Sequence, residues 1–220
     1  MKRTQKLSWM FAFVLLLGSY KPAFSQTVKD FFTNESTALT YLGIDYSKNR
    51  LINDPAGNTA DIKGRLYAAM NDVVVMEMPK NYNIAGAFSR SGEVLADITA
   101  VTARNEKVNA ADISSSNAGD FNRLTEADIA AEVKALAIKD KAGVGLVFIM
   151  EGMRKEEKKS YGAVWAVLVD MKTKKVLMTE RFEQEATGIG FRNYWVSIIK
   201  KTIIEIDKKK YKTWKNKYSS

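Results

Sequence analysis

The chain has 220 residues, 46% of them hydrophobic, with neither cysteine nor histidine, enough for one packed domain of ordinary size. Lacking those two residue types, it cannot build a Ser-His-Asp or Cys-His nucleophile site, a His/Cys zinc site, a thiolate redox centre or a structural disulfide. Its formal net charge is +9, and the meaning of that charge depends on where it sits.

The first 25 residues read as a signal peptide. Lys2, Arg3 and Lys6 form a positive start, Trp9 to Leu17 an apolar stretch too short for a stable span, and Ala23-Phe24-Ser25 a small-residue cleavage site that makes Gln26 the first mature residue. An uncleaved N-terminal anchor is the alternative. Lipid attachment is excluded because it needs a cysteine after the cleavage point. Residues 1–25 carry four basic side chains and no acid, so the chain from residue 26 onward carries +5. Residues 200–217 alone hold +6 and residues 26–199 about −1. The basicity therefore belongs to the C-terminal end and does not indicate a nucleic-acid-binding domain. Membrane contact is expected only through the transient signal peptide, and the reading is of a bacterial envelope or secreted protein.

After a lead segment, 26–37, the first expected strand is Ala38 to Tyr46, followed by the turn Asn53-Asp54-Pro55-Ala56-Gly57. Asn58 or Thr59 caps a helix striped by Ile62, Leu66, Met70 and Val73 and stopped at Pro79. A second strand is expected at about Val94 to Val101, then a long polar loop from Asn105 to Asn122. Thr125 to Asp128 forms a capping box for a helix carrying Ile129, Val133 and Leu136, ending near Ile138. Val144 to Met150 and Tyr161 to Val169 are near-continuous apolar runs, expected of strands covered on both faces and joined by a charged loop. Val169 to Val176 turns tightly into an edge strand, Val176 to Glu185, and the last helix runs from Phe191 to about Lys215. The expected order is β-α-β-α-β-β-β-α: an α/β (α+β) fold, a single domain over 38–207 with a mixed sheet of about five strands and three helices. Residues 208–220 form a basic helix end and tail projecting beyond it, with Tyr211 and Trp214.

Three groups of residues carry a resemblance. They are the hairpin Asp170, Thr173, Lys175 and Val176, the turn Gly188 to Trp195 (GIGFRNYW), and the segments Leu42-Gly43-Ile44-Asp45 and Lys80-Asn81-Tyr82-Asn83. The chain resembles, over most of residues 38–206, a family of uncharacterised exported proteins of Gram-negative bacteria. More distantly it is similar to the N-terminal domain of TolB and to curli-secretion-like envelope proteins, departing from them in Lys174 where such hairpins usually place glycine. The resemblance implies an envelope location and brings no catalytic residues.

Two positions are candidate ligand-binding elements. Gly188, Gly190, Arg192 and Asn193 put glycines, a guanidinium and free backbone N–H groups at a helix start, a combination that suits a phosphate or carboxylate, or serves simply as a sheet-to-helix turn. Asp45 stands near a strand end, where α/β sheets bind ligands, or caps its own turn. Asp45, Asp97, Glu151 and Asp170 show no spacing that pairs two carboxylates for acid–base catalysis. Met70, Met76, Met150, Met171 and Met178 are scattered over separate elements and read as core rather than a soft-metal site. No metal or cofactor is expected. The function read from the sequence is an exported, non-enzymatic module binding an envelope protein partner, with a small anionic-ligand binder centred on Arg192 as the alternative.

Overall fold

The computed structural model describes residues 27–139 and 141–219; the expected cleavage residues Ala23, Ser25 and Gln26 lie outside them. The lead segment holds a short helix, α1 (Val28–Thr33), that the sequence reading left unassigned. Its capping box is reciprocal: Asp30 N–H donates to the Thr27 hydroxyl at 3.0 Å and Thr27 N–H to the Asp30 carboxylate at 3.1 Å. Bonding to Thr27 holds the Asp30 carboxyl below its ordinary range.

Strands β1 (Leu39–Asp45) and β2 (Arg50–Ile52) follow, then one helical column made of α2 (Thr59–Asp61), a π-helical turn (Ile62–Leu66) and α3 (Tyr67–Glu77). Asn58 is its cap, accepting from Asp61 N–H at 3.0 Å, and the column ends two residues before Pro79. After α4 (Ile84–Ala87), the expected second strand shrinks to β3 (Leu95–Ala96), and the residues beyond it form a helix, α5 (Thr99–Asn105). Asp97 causes the change: its carboxylate accepts from Thr99 N–H at 3.2 Å and turns the chain, so Val101 packs with Leu42 from a helix.

The polar stretch expected as a loop is partly ordered by its own side chains. Asn109 and Asn117 accept from the N–H groups two residues on and start 3₁₀ turns at Ala110–Asp112 and Ala118–Asn122, and β4 (Ser114–Ser115) between them pairs with β2. The Thr125–Asp128 capping box opens α6 (Glu126–Ala135) as expected. Then come β5 (Val144–Lys155), β6 (Ser160–Asp170), β7 (Lys175–Glu185), α7 (Phe191–Glu205), a second π-helical turn (Ile206–Lys210) and α8 (Tyr211–Tyr218).

The sheet is mixed. β6 takes one edge of β5 along its whole length, antiparallel, while β1 and β2 share the other edge in parallel, β1 against residues 144–149 and β2 against 152–154. β3 and β4 flank β1 and β2, and β7 pairs only with β6, forming the charged edge that the sequence predicts. Among the described residues seven strands thus occupy five positions across the sheet. The period of two along β5 divides the core. Leu146, Phe148 and Met150 face α1, α3, α7 and α8, whereas Val147 and Ile149 face α5 and α6, so β5 is buried on both faces as its apolar run requires. In the β6–β7 turn Lys174 adopts φ 57°, the left-handed conformation that favours glycine.

The C-terminal end corrects the expectation of a projecting tail. Ile206 and Tyr211 are five residues apart, out of phase for an α-helix, but the π turn bonds Tyr211 N–H to Ile206 C=O and returns Tyr211 and Trp214 to the buried face despite Lys210. Trp214 lies 6.1 Å from Phe88, 6.5 Å from Phe32 and 6.3 Å from Phe182, and its indole N–H and the Lys210 ammonium both reach Glu180. Arg90 locks the same corner, lying 4.2 Å over Phe31 and donating to the carbonyls of Phe31 (3.0 Å), Asn34 (3.0 Å) and Phe88 (2.7 Å) and to the Tyr211 hydroxyl (3.2 Å). Deleting residues 208–220 is therefore expected to cost on the order of 5 kcal/mol or more, a large share of the 5–15 kcal/mol of a typical domain. A thermal melt checks it: loss of the cooperative transition is expected, and a melt like that of the intact chain would contradict the clasp.

Asn105 is buried, accepts from Tyr46 N–H at 2.7 Å and donates to Ile44 C=O at 2.9 Å. Asn105→Leu should cost about 2–4 kcal/mol in chemical denaturation, because it leaves a buried N–H without its acceptor and takes a donor from a buried carbonyl.

Candidate functional site

The turn between β7 and α7 is built on two glycines with positive φ, Gly188 at 127° and Gly190 at 78°. Thr187 N–H donates to the Ser197 hydroxyl at 2.9 Å, closing the turn onto the helix. Gly190 stands at the helix cap with no side-chain partner, and the first backbone bond of the helix runs from Tyr194 N–H to Gly190 C=O at 2.9 Å. Arg192 and Asn193 are exposed, joined by a 3.0 Å bond from the guanidinium Nε to the Asn193 amide oxygen. Ile189 at the tip is 91% exposed.

Below the turn lies a cleft of about 410 Å³ where three distant segments meet. One wall is aromatic. Phe191, Tyr194 and Trp195 fall at helical spacing on α7, with Trp195 buried at 6.1 Å from Phe191 and edge-on to Tyr194 at 5.3 Å, so the two outer rings are half-exposed against a fixed one. The opposite wall is the turn Asp54–Asn58 with Asp61, and the loop end of the β5–β6 hairpin supplies Lys155 and the buried Ser160. Its charges are paired: Lys155 lies 3.2 Å from Asp54 on another segment, and Arg65 grips Asp61 one helical turn before it with bonds of 2.9 and 2.8 Å. A shallower recess of about 300 Å³ continues the cleft past Gly190 and Phe191 to Arg65, Arg192 and Asn193.

Gly188, Gly190, Arg192 and Asn193 are thus together, and the latter three line this groove. Asp45 is not with them. It is 1% exposed at the end of β1, accepts from Ser47 N–H at 2.8 Å and pairs with Arg104 at 2.8 Å; Arg104 in turn reaches Glu132 at 3.2 Å. Glu151 is likewise taken, fully buried at the bulge between Met150 and Gly152, accepting from Leu124 N–H (2.6 Å), Trp165 Nε1 (3.1 Å) and Arg181 Nε (2.8 Å). Asp97 pairs with Lys141, and Asp170 accepts the Lys172 and Thr173 N–H groups of its hairpin at 2.9 and 3.0 Å. The four acids sit in separate bonded settings. Met70, Met150 and Met178 are buried in one core cluster and Met171 in the other, while Met76 is exposed. Among the described residues no three His, Cys, Asp or Glu side chains converge to hold a metal ion.

Two of the tyrosines, Tyr46 and Tyr67, are buried against each other, which disfavours ionising either phenol. Tyr46 stacks on Tyr67 at 4.2 Å; desolvation raises the Tyr46 phenol well above its ordinary range and pushes Tyr67 up to about 12. The sequence reading missed the wall formed by Asp54, Asn58, Asp61 and Lys155. Its signals, a proline–glycine turn and a helix cap, had been absorbed as local structure, and nothing in one sequence links residue 58 to residue 191.

No protein-family model matches the chain, and no curated protein matches it. Among solved structures it is similar to a neuraminyllactose-binding hemagglutinin homolog from Helicobacter pylori, at 7% identity over 82% of this chain and 91% of that one, with a TM-score of 0.31. That likeness is too low for any residue's role to pass from one chain to the other. No helix among the described residues is long and apolar enough to cross a membrane.

The two candidate positions should separate by stability. Asp45→Ala takes one of two carboxylates from the mostly buried Arg104, which keeps Glu132, and removes the acceptor of Ser47 N–H, and is expected to cost about 2 kcal/mol. Arg192→Gln removes an exposed side chain and should change stability by less than about 0.5 kcal/mol. Urea denaturation of both variants checks the pair; a neutral Asp45→Ala would show that its bonds are not structural.

Proposed function

We propose that the protein is an exported, non-enzymatic binding module of a Gram-negative envelope that holds a small ligand in the groove beneath the Gly188–Asn193 turn. The observation that supports this is the convergence of Asp54–Asp61, Lys155–Ser160 and Gly190–Trp195 on one recess, with half-exposed rings on one side and pre-paired charges on the other. Pockets of this kind, mainly apolar with a few fixed polar groups, are the usual form of ligand sites. A non-enzymatic role is favoured because the chain lacks histidine and cysteine, and because Asp45 and Glu151 are spent on arginines away from the groove. Export rests on the residue pattern of the first 25 positions and on the family resemblance.

A second reading, docking of an envelope protein, has its own support. The two-residue edge strand β3 carries Leu95 at 65% exposure beside a groove of about 610 Å³ lined by Val75, Met78, Tyr82 and Ile84. A thermal-shift screen of phosphates, nucleotides, sugars and small carboxylates on the purified protein distinguishes the two. A ligand of the folded state must raise the melting temperature, by an amount set by its concentration over Kd. We expect at least one class to do so and Tyr194→Ala to remove the shift. A flat response across all classes would leave the partner surface along β3 as the better account.

A further inference from the structure

Resting on the groove reading above, we infer that the ligand is a carboxylated sugar, its ring against Phe191 and Tyr194 and its carboxylate on the guanidinium of Arg192. The argument is a matching of surfaces. A flat apolar ligand would cover the aromatic wall but desolvate Asp54, Asn58 and the Tyr194 hydroxyl without replacing their water, at a cost of order 1–3 kcal/mol for each unmatched group. A bare inorganic anion would leave the rings unused and face the carboxylates of Asp54 and Asp61. A sugar ring presents C–H faces to the aromatic side chains and a rim of hydroxyls that both donate and accept, which suits carboxylates, an amide and a phenol on the opposing surfaces.

The charge of the ligand follows from the pairing inside the groove. Three cations and two acids line the cleft and its continuation. Lys155 is held by Asp54 at 3.2 Å, and Arg65 by Asp61 through two bonds. Arg192 is the cation left over: among the described residues its one hydrogen bond is from Nε to Asn193, which leaves both terminal nitrogens open to solvent at the end of the groove. A guanidinium with its fork free is suited to one carboxylate, engaged through two parallel bonds. Gly190 and Phe191 line both recesses, so a ring on Phe191 and a carboxylate on Arg192 fall within one ligand.

The test compares galacturonate, galactose and acetate by calorimetry on the intact purified protein, with thermal melts confirming that each variant is folded. Galacturonate should bind at least about tenfold tighter than galactose or acetate, as a charged hydrogen-bonded pair warrants. Arg192→Gln should bring galacturonate to the level of galactose without altering galactose, and Tyr194→Ala should weaken both sugars. Acetate binding as tightly as galacturonate would overturn the inference in favour of a simple anion site. Galactose matching galacturonate would overturn it in favour of a neutral saccharide. If neither sugar binds but another class in the broader screen does so in a Tyr194-dependent way, the sugar inference falls and the groove reading stands; if nothing binds there, both fall.

Discussion

The backbone N–H and C=O of one residue, Ile44, tie the two layers of helices to the sheet. β3 covers β1 only at Thr40 and Tyr41, so beyond the register break at Gly43 the outer edge of β1 has no strand beside it, although the segment is buried. Its polar groups are satisfied by two asparagine side chains. Ile44 N–H donates to the Asn71 amide oxygen at 2.7 Å, and Ile44 C=O accepts from Asn71 at 3.0 Å and Asn105 at 2.9 Å. Each such group left unpaired would cost about 1–3 kcal/mol, a substantial part of a domain's whole stability. Asn71 comes from α3 on one face and Asn105 from α5 on the other. The arrangement needs Gly43 at φ 98°, where a Cβ would lie 2.5 Å from Val101 and 2.9 Å from the Asn71 amide oxygen. Every larger residue there would push both helices away from the strand.

The same rule, that buried polarity is paired before it is useful, sorts the acidic side chains. Asp45 ends a strand, where α/β sheets bind ligands, and Glu151 sits at a bulge inside β5, yet each is enclosed by an arginine and a backbone donor. Removing the arginine would leave a fully buried carboxylate without its cation, which is the expensive change; the pairs themselves add little net stability. The groove charges differ in kind. Asp61 and Arg65 are partly to largely exposed and water-screened, so their pairing costs little to rearrange around a ligand.

How far the sequence could be read follows from the range of the interactions concerned. β5, β6 and β7 were legible because their apolar runs, hairpin turn and charged edge are local patterns, and both helix caps at Asn58 and Thr125 were legible because a cap is a three-residue contact. α1 was not, since six residues with Phe31 and Phe32 show no period and their burial depends on Trp214, far along the chain. β3 was overread because β-formers from Val94 to Val101 outweighed one aspartate that turns the chain. On the site, the glycines and Arg192 announced themselves, but the facing wall did not, being residues with ordinary local duties that the fold carries to the same place.

The basic C-terminal end takes on a different meaning once its register is known. Read as a tail, eight lysines in residues 200–217 invite a polyanion. Read as a docked helix, they are divided by the geometry. Lys201 donates to Glu185 C=O at 2.6 Å, Lys210 pairs with Glu180, and Lys215 lies 3.3 Å from Glu35, so these bind the helix to β7 and to the segment after α1. Lys208, Lys209 and Lys212 remain on the solvent side. A column fixed by Trp195, Ile199, Ile203, Ile206 and Trp214 cannot wrap around a partner; it can only offer a flat charged back. Its fixity serves the opposite end: the residues that anchor the column to the core also hold the first turn of α7, and with it the rings of Phe191 and Tyr194, at the mouth of the groove. The constraint that makes the C-terminus structural is therefore the same one that makes the aromatic wall rigid enough to recognise a ligand.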